Sequence, residues 1–275
     1  MHIGFSEEQI HRYSRQIILA GIGGKSHKRL KDAKVFIIGA GGLGSPAALY
    51  LAAAGVGTIW LADSDRVELH NLQRQILHKR SDIGVPKVES GKRTLESLNP
   101  QVKVETYGER ITSANIRGII KNYHLVLEGS DNSSTRFLVN DACYFENKAL
   151  ISGTILRFDG QLSTFKPHGG GPYYCCLIPE PPPPGLVPSC QGAGILGAVA
   201  GIIGVMQANE VLKEILGIGE TMVGLFLLFD PLFFHVSRRK NAGKSLLSAL
   251  WKKPRNPGLN RLHNHLPDSD PPVAL

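Results

Sequence analysis

The feature that most constrains this chain is Gly39-Ala-Gly41-Gly42-Leu-Gly44, because it joins two segments of opposite character. Before it, Lys34-Val-Phe-Ile-Ile38 is a β-branched and aromatic run that reads as a buried strand. After it, Ser45 to Ala54 is a small-residue stretch that reads as a helix. A glycine-rich turn in that setting lets backbone N–H groups and a helix N-terminus approach a phosphate. Asp63, at the end of the next strand-like run, stands where a carboxylate can accept from ribose hydroxyls. This much specifies a nucleotide and leaves NAD and ATP both open.

The pattern continues as an alternation. Apolar runs at Thr58 to Ala62, Val102 to Tyr107, His124 to Leu127 and Ala149 to Ser152 are separated by helix-like stretches at Pro86 to Leu98, Asn115 to Lys121 and Ser134 to Phe145. It predicts an α/β, Rossmann-like fold with a mostly parallel sheet covered by helices on both faces. After Gly153 the rhythm changes. Ile155 to Phe165 contains Asp159-Gly160, a hairpin signal, so an antiparallel β extension is expected to continue the sheet. Gly169 to Cys190 is rich in Gly and Pro and reads as a crossover loop. A helix from about Ala193 to Leu216 and a strand pair at Gly224 to Phe229 and Phe233 to Arg238 complete the body. We therefore expect one domain over residues 1–237, its nucleotide-binding half at about 30–153 and its loop at about 169–190, followed by a basic tail at 238–275.

Charge and cysteine usage narrow the function class. The net charge is +8, yet eight Lys or Arg and no acid lie between Arg238 and Arg261, leaving 23 basic against 21 acidic residues before Arg238. The body is nearly neutral, and the basic run reads as a solvated tail rather than a nucleic-acid groove. The four cysteines, Cys143, Cys175, Cys176 and Cys190, lack a regular spacing and a signal peptide, which argues for a reducing compartment and a cytoplasmic protein. The apolar stretches Gly192 to Met206 and Leu225 to Val236 are too short or too broken to span a bilayer.

What tilts the nucleotide toward ATP is the charge around the loop. Asn71, Arg74 and Lys87 follow at short intervals, and Asp131 lies just past the fourth strand. Displacing pyrophosphate needs cations and a metal-holding carboxylate, whereas a dinucleotide needs fewer. Cys190 stands between a proline-rich loop and the start of a helix, where the helix dipole lowers a thiol pKa, which makes it a candidate nucleophile.

The chain resembles the MoeB/ThiF/HesA family of adenylyltransferases, relatives of the ubiquitin-activating enzymes. The stretches that carry the resemblance are Arg12-Tyr-Ser-Arg15-Gln-Ile-Ile-Leu, the glycine loop, Asp63-Ser-Asp65, Asn71-Leu-Gln-Arg74-Gln75, Gly84-Val-Pro-Lys87, Ser130-Asp131-Asn132 and Pro188-Ser-Cys190, in order from about Glu7 to about Val236. By that resemblance Gly39, Gly41, Gly42 and Gly44 shape the nucleotide loop, and Asp63 holds the ribose. Asn71, Arg74 and Lys87 contact the phosphates, Gln75 and Asn132 flank the nucleotide, Asp131 holds Mg2+, and Arg15 reaches across a homodimer to the partner's ATP. The implied reaction is attack by the C-terminal glycine carboxylate of a ubiquitin-like sulfur-carrier protein, of the MoaD or ThiS kind and ending in Gly-Gly, on the α-phosphate of ATP. Cys190 would then form a covalent link to the carrier protein or take part in sulfur transfer, with a cysteine desulfurase or rhodanese as donor, for molybdopterin, thiamine or a related product.

One family trait is missing. Many relatives bind zinc through two C-x-x-C pairs, but here Tyr173 replaces the first cysteine beside Cys176, and Leu259 and Leu262 stand where the terminal pair belongs. His263 and His265 have the wrong spacing to replace them, so zinc is not expected. Two other readings compete with adenylation of a carrier protein. One is an ATP-dependent tRNA-modifying relative, which the basic tail would suit; the other is a nucleotide-binding scaffold or NAD-dependent oxidoreductase on the same fold.

Overall fold

A computed structural model describes residues 5–179 and 194–240. The chain enters through α1 (Glu7–Ile17) and α2 (Gly23–Asp32). It then alternates β1 (Lys34–Ile38), α3 (Gly44–Ala54), β2 (Thr58–Ala62), α4 (Lys87–Leu98), β3 (Lys103–Tyr107), α5 (Ile116–Ile120), β4 (Leu125–Glu128), α6 (Ser133–Phe145) and β5 (Ala149–Leu156). The remaining elements are β6 (Asp159–Phe165), α7 (Gly197–Leu216), β7 (Leu225–Asp230) and β8 (His235–Lys240).

The strands form one eight-stranded sheet in the order β3-β2-β1-β4-β5-β6-β7-β8. Pairing is parallel from β3 through to β5 and antiparallel from β5 to β8. The period-2 alternation of side chains divides the core. Val35 and Ile37 of β1 pack with Leu51 of α3, Leu95 of α4 and Ile203 of α7. Phe36 and Ile38 point the other way, toward Ile116 and Ile120 of α5 and Phe137 and Val139 of α6. Burial on both faces explains why the parallel strands are near-continuous apolar runs. α3 is built from alanines because it is wedged between the sheet and α7, where a Cβ on Gly204 of α7 would come 2.4 Å from the Leu43 carbonyl oxygen. Only small residues fit such an approach.

Three boundaries differ from the sequence reading. The β5–β6 turn falls at Arg157-Phe158 rather than Asp159-Gly160, since Leu156 already pairs with Asp159 and Ile155 with Gly160. Gly160 answers a packing demand instead: a Cβ there would come 2.5 Å from Ile203. The last strand runs to Lys240, pairing Arg238, Arg239 and Lys240 with Leu227, Phe226 and Leu225, so ordered pairing extends into the segment expected to be tail. Cationic side chains suit this position, because they discourage further strands from adding to an exposed sheet edge. The final helix begins at Gly197. Most of the crossover loop, with Cys190, and the segment carrying Leu259, Leu262, His263 and His265 lie outside the described residues. Among the described residues no helix is long and apolar enough to cross a membrane.

Candidate nucleotide site

β1 and β4 are neighbours whose following helices leave on opposite faces of the sheet, so the carboxyl ends of these strands open a crevice where α/β folds hold their ligands. The glycine loop fills it. Gly39 has φ +94°, a conformation that side chains resist, and its position against Gly129 at the end of β4 leaves no room for a Cβ. A Cβ on Gly44 would lie 1.7 Å from the Gly39 carbonyl oxygen. Gly41 is different. A Cβ there would meet only Gln75 Nε2 at 3.7 Å, so the protein's own packing does not call for glycine at that point.

The segment after the second strand closes over this loop. Gly42 faces the Arg74 side chain, with Arg74 Cγ 3.6 Å from where its Cβ would be, while the Arg74 guanidinium donates to the His70 carbonyl at 3.1 Å. Gln75 is buried beside Gly41, and its Oε1 has no hydrogen-bond partner among the described residues. A buried acceptor without a partner is costly in a finished core and fits a site that a ligand completes.

Asp63 and Lys87 form the electrostatic centre. The Asp63 carboxylate accepts the Ala40 N–H at 2.8 Å and the Asp65 N–H at 2.9 Å. Burial pushes its carboxyl above the ordinary range, against the opposing pull of Lys87 and those backbone donors. Lys87 opens α4, is only 6% exposed, and places Nζ 2.7 Å from Asp65 and 4.0 Å from Asp63. A buried ammonium held by carboxylates, one of them largely exposed, is poised to exchange partners with an anion.

Asp131 is exposed at the end of β4, next to the N-cap of α6. The strand end beneath it is anchored by Glu128, which is fully buried and takes Arg136 Nε at 3.2 Å and Ser152 Oγ at 3.0 Å. Arg136 also donates to the Ser130 carbonyl at 3.0 Å. Two of the expected nucleotide contacts have local duties: Asn71 Oδ1 accepts from Glu68 N–H at 3.1 Å, and Asn132 Oδ1 accepts from Thr135 N–H at 2.7 Å as the α6 N-cap.

Arg15 does not join this cluster. It is exposed in the last turn of α1, whose Arg12 donates to the Leu98 carbonyl and whose Tyr13 accepts from Asn99 and covers Gly55. Those contacts are with the C-terminal ends of α3 and α4, whereas the glycine loop and Lys87 lie at their N-terminal ends. The two helices have 11 and 12 residues, lengths of about 16–18 Å at 1.5 Å per residue. Of the cysteines described, Cys143 is buried and Cys176 partly so, and burial raises both thiols. Neither is suited to act as a thiolate nucleophile.

Sequence reasoning missed His78, Ser90 and Glu128, which support the site from below. His78 lies three residues after the Asn71 to Gln75 motif, but a single histidine behind Ile76 and Leu77 carries no signal of its partners.

Comparison with known proteins extends this picture. The ThiF family profile matches residues 13–246. The sulfur carrier protein adenylyltransferase of Thermus thermophilus is 47% identical over 232 residues, covering 83% of this chain and 86% of that protein. The probable adenylyltransferase/sulfurtransferase MoeZ of Mycobacterium tuberculosis is 46% identical over 230 residues, covering 82% of this chain and 59% of MoeZ. The adenylyltransferase and sulfurtransferase MOCS3 of Culex quinquefasciatus is 48% identical over 225 residues, and the match covers 82% of this chain but 51% of that protein. Among solved structures, Escherichia coli MccB shares the fold at TM-score 0.75 and 21% identity, over 87% of this chain and 72% of MccB.

Proposed function

The chain belongs to the ThiF family, and from that membership we propose that it is an ATP-dependent adenylyltransferase acting on the C-terminal carboxylate of a ubiquitin-like sulfur-carrier protein. The observation that carries the reading is the crevice itself: a glycine loop, a buried Lys87 and the Asp63 carboxylate converge where a nucleotide binds, in a chain 47% identical to a sulfur carrier protein adenylyltransferase.

The chemistry asks little of an acid or base. The terminal carboxylate of the carrier is ionised at neutral pH and is itself the nucleophile. One of its oxygens forms a bond to the α-phosphorus of ATP, the bond from that phosphorus to the β-phosphate bridging oxygen breaks, and pyrophosphate leaves with the electron pair. The product is a mixed anhydride whose carbonyl is open to a sulfur nucleophile. Catalysis is then positioning and charge stabilisation. Loop amides around Gly41 and Gly42 receive phosphate oxygens, Asp63 takes the ribose hydroxyls, and Lys87 and Arg74 balance the charge that develops on the phosphates. The exposed carboxylate of Asp131 is a hard oxygen ligand of the kind Mg2+ uses together with substrate phosphates, and a Mg2+ held there would draw charge from those oxygens.

Each site takes Arg15 from a second copy of the chain. The position of α1 at the far ends of α3 and α4 supports this, since its own Arg15 is remote from its own loop. Ile10, Ile18 and Leu19, exposed on and just after α1, would be covered in such a homodimer. Cys190 acts after activation, as the residue to which sulfur or the activated carrier is passed. α7, which follows it in sequence, has its first residue pressed against Gln73.

Incubation with ATP, Mg2+ and a carrier ending in Gly-Gly, followed by mass spectrometry of the carrier, tests the reading. A carrier species heavier by AMP that is lost in Asp131→Ala supports it. ATP binding with no carrier adenylate from any Gly-Gly protein contradicts it.

A further inference from the structure

Ala40, inside the glycine loop, is tied on both sides of its residue. Its N–H is donated to Asp63 at 2.8 Å, and its carbonyl oxygen lies 2.9 Å from His78 Nε2, with Ser45 Oγ more distant at 3.3 Å. The imidazole is 6% exposed. Its other nitrogen, Nδ1, is 2.9 Å from Ser90 Oγ, and Ser90 Oγ is 2.9 Å from Asp82 Oδ2. Asp82 also accepts from Lys79 N–H at 2.9 Å and from Arg93 at 2.9 Å. Ser90 sits on α4 one turn after Lys87. A continuous polar chain therefore runs from the glycine loop through one imidazole to the helix that begins with the site's buried lysine.

A carbonyl can only accept, so the nitrogen facing Ala40 must carry the proton. That fixes the Nε2–H tautomer. Ser90 donates its single hydroxyl proton to the Asp82 carboxylate, so its oxygen stands 2.9 Å from Nδ1 as a polar neighbour and not as a donor to it. Burial disfavours the charged ring, which agrees with a neutral imidazole in this place.

We propose that His78 is a positioning residue for adenylation: its Nε2–H holds the Ala40 peptide so that the loop amides face the phosphates, and the seating of its ring against Ser90 keeps that loop in register with Lys87. The imidazole touches neither substrate nor the reacting atoms. This role rests on the adenylation reading, because it assumes that the loop receives ATP phosphates. Glycine loops have little side-chain packing to define them, so a buried hydrogen bond to the loop's own carbonyl sets its orientation before ATP arrives.

Two amide substitutions separate this role from simple core packing. A glutamine carboxamide nitrogen reaches the place of Nε2, whereas the shorter asparagine reaches only that of Nδ1. ATP affinity measured by calorimetry on the full chain with Mg2+ is expected to weaken about tenfold in His78→Asn and to stay within about threefold of wild type in His78→Gln. Equal affinity in both variants, or losses in both that track their melting temperatures, overturns the role while leaving adenylation intact. A wild type that binds no ATP overturns the adenylation reading and the role with it. Should the variants fail to fold, long-range 1H–15N correlation spectra of the wild-type histidines decide the matter: a protonated Nε2 at His78 supports the assignment, and a protonated Nδ1 with bare Nε2 overturns it.

Discussion

Replacing Gly41 with alanine separates what the glycine loop owes to folding from what it owes to a ligand. A Cβ at Gly41 finds ordinary contact with Gln75 at 3.7 Å, and the backbone there is not in the left-handed region. Stability should therefore be unchanged or rise by up to about 1 kcal/mol, because alanine narrows the unfolded ensemble. Gly44→Ala is the control. Its Cβ would sit 1.7 Å from the Gly39 carbonyl oxygen, a backbone atom that cannot swing aside, so overpacking should cost about 1–3 kcal/mol or more. ATP binding should respond in the opposite order of cause. The methyl group at Gly41 occupies space that the phosphates need to reach the loop N–H groups, and loss of one charge-assisted hydrogen bond of about 1.5–3 kcal/mol weakens ATP on the order of 10- to 100-fold. Urea unfolding and calorimetric titration with ATP and Mg2+ measure the two effects on the same samples. A Gly41→Ala protein that binds ATP as wild type does means the phosphates do not lie over this loop position. One that unfolds as readily as Gly44→Ala means the packing argument is wrong.

Three further outcomes are expected. Arg136→Ala strands the fully buried Glu128 without its cation and should cost about 3–5 kcal/mol, read by urea unfolding; a loss near zero would show the pair to be dispensable. Burial lowers the His78 pKa, so the unfolded chain binds a proton more readily than the folded one; its contribution to stability is full above the ordinary value near 6.5 and is lost as pH falls through that value toward the folded one. The stability difference between wild type and His78→Gln should accordingly shift against wild type between pH 7.5 and pH 5, and a difference that is constant or moves the other way contradicts this. Mixing inactive Arg15→Ala with inactive Asp131→Ala chains should restore about a quarter of wild-type activity, since half of the re-formed dimers are mixed and each has one intact site; no recovery after verified subunit exchange argues against Arg15 acting across the interface.

Much of this architecture was legible because buried parallel strands advertise themselves. Val35 to Ile38 and Leu125 to Leu127 are apolar on both faces, and a glycine run between strand and helix marks the crevice without reference to anything distant. Turns were less legible. Asp159-Gly160 has the composition of a hairpin turn, but Gly160 is small because Ile203 of α7 needs its space, and that helix is remote in sequence. The extent of β8 was hidden for another reason: backbone pairing continues beneath Arg238, Arg239 and Lys240, whose side chains look like tail. Within the site, the motif residues gave Asp63, Arg74 and Lys87, whereas the links that hold them were silent. His78 reaches back to Ala40 and forward to Ser90, and no local pattern specifies either partner. Asn71 and Asn132 look like ligand contacts in a motif, yet the shape of their own turns already uses their side-chain oxygens.

The central claim is that this crevice transfers AMP from ATP to a carrier carboxylate, and pyrophosphate exchange tests it most directly. Purified protein with Mg2+, ATP, labelled pyrophosphate and a panel of Gly-Gly-ending carrier proteins should return label to ATP only when a competent carrier is present. The exchange should fall on the order of 100-fold in Lys87→Ala, by analogy with removal of a single transition-state charge contact, and persist in Cys190→Ala. Exchange that ignores the carrier, or ATP binding with no exchange under any carrier, would contradict the account.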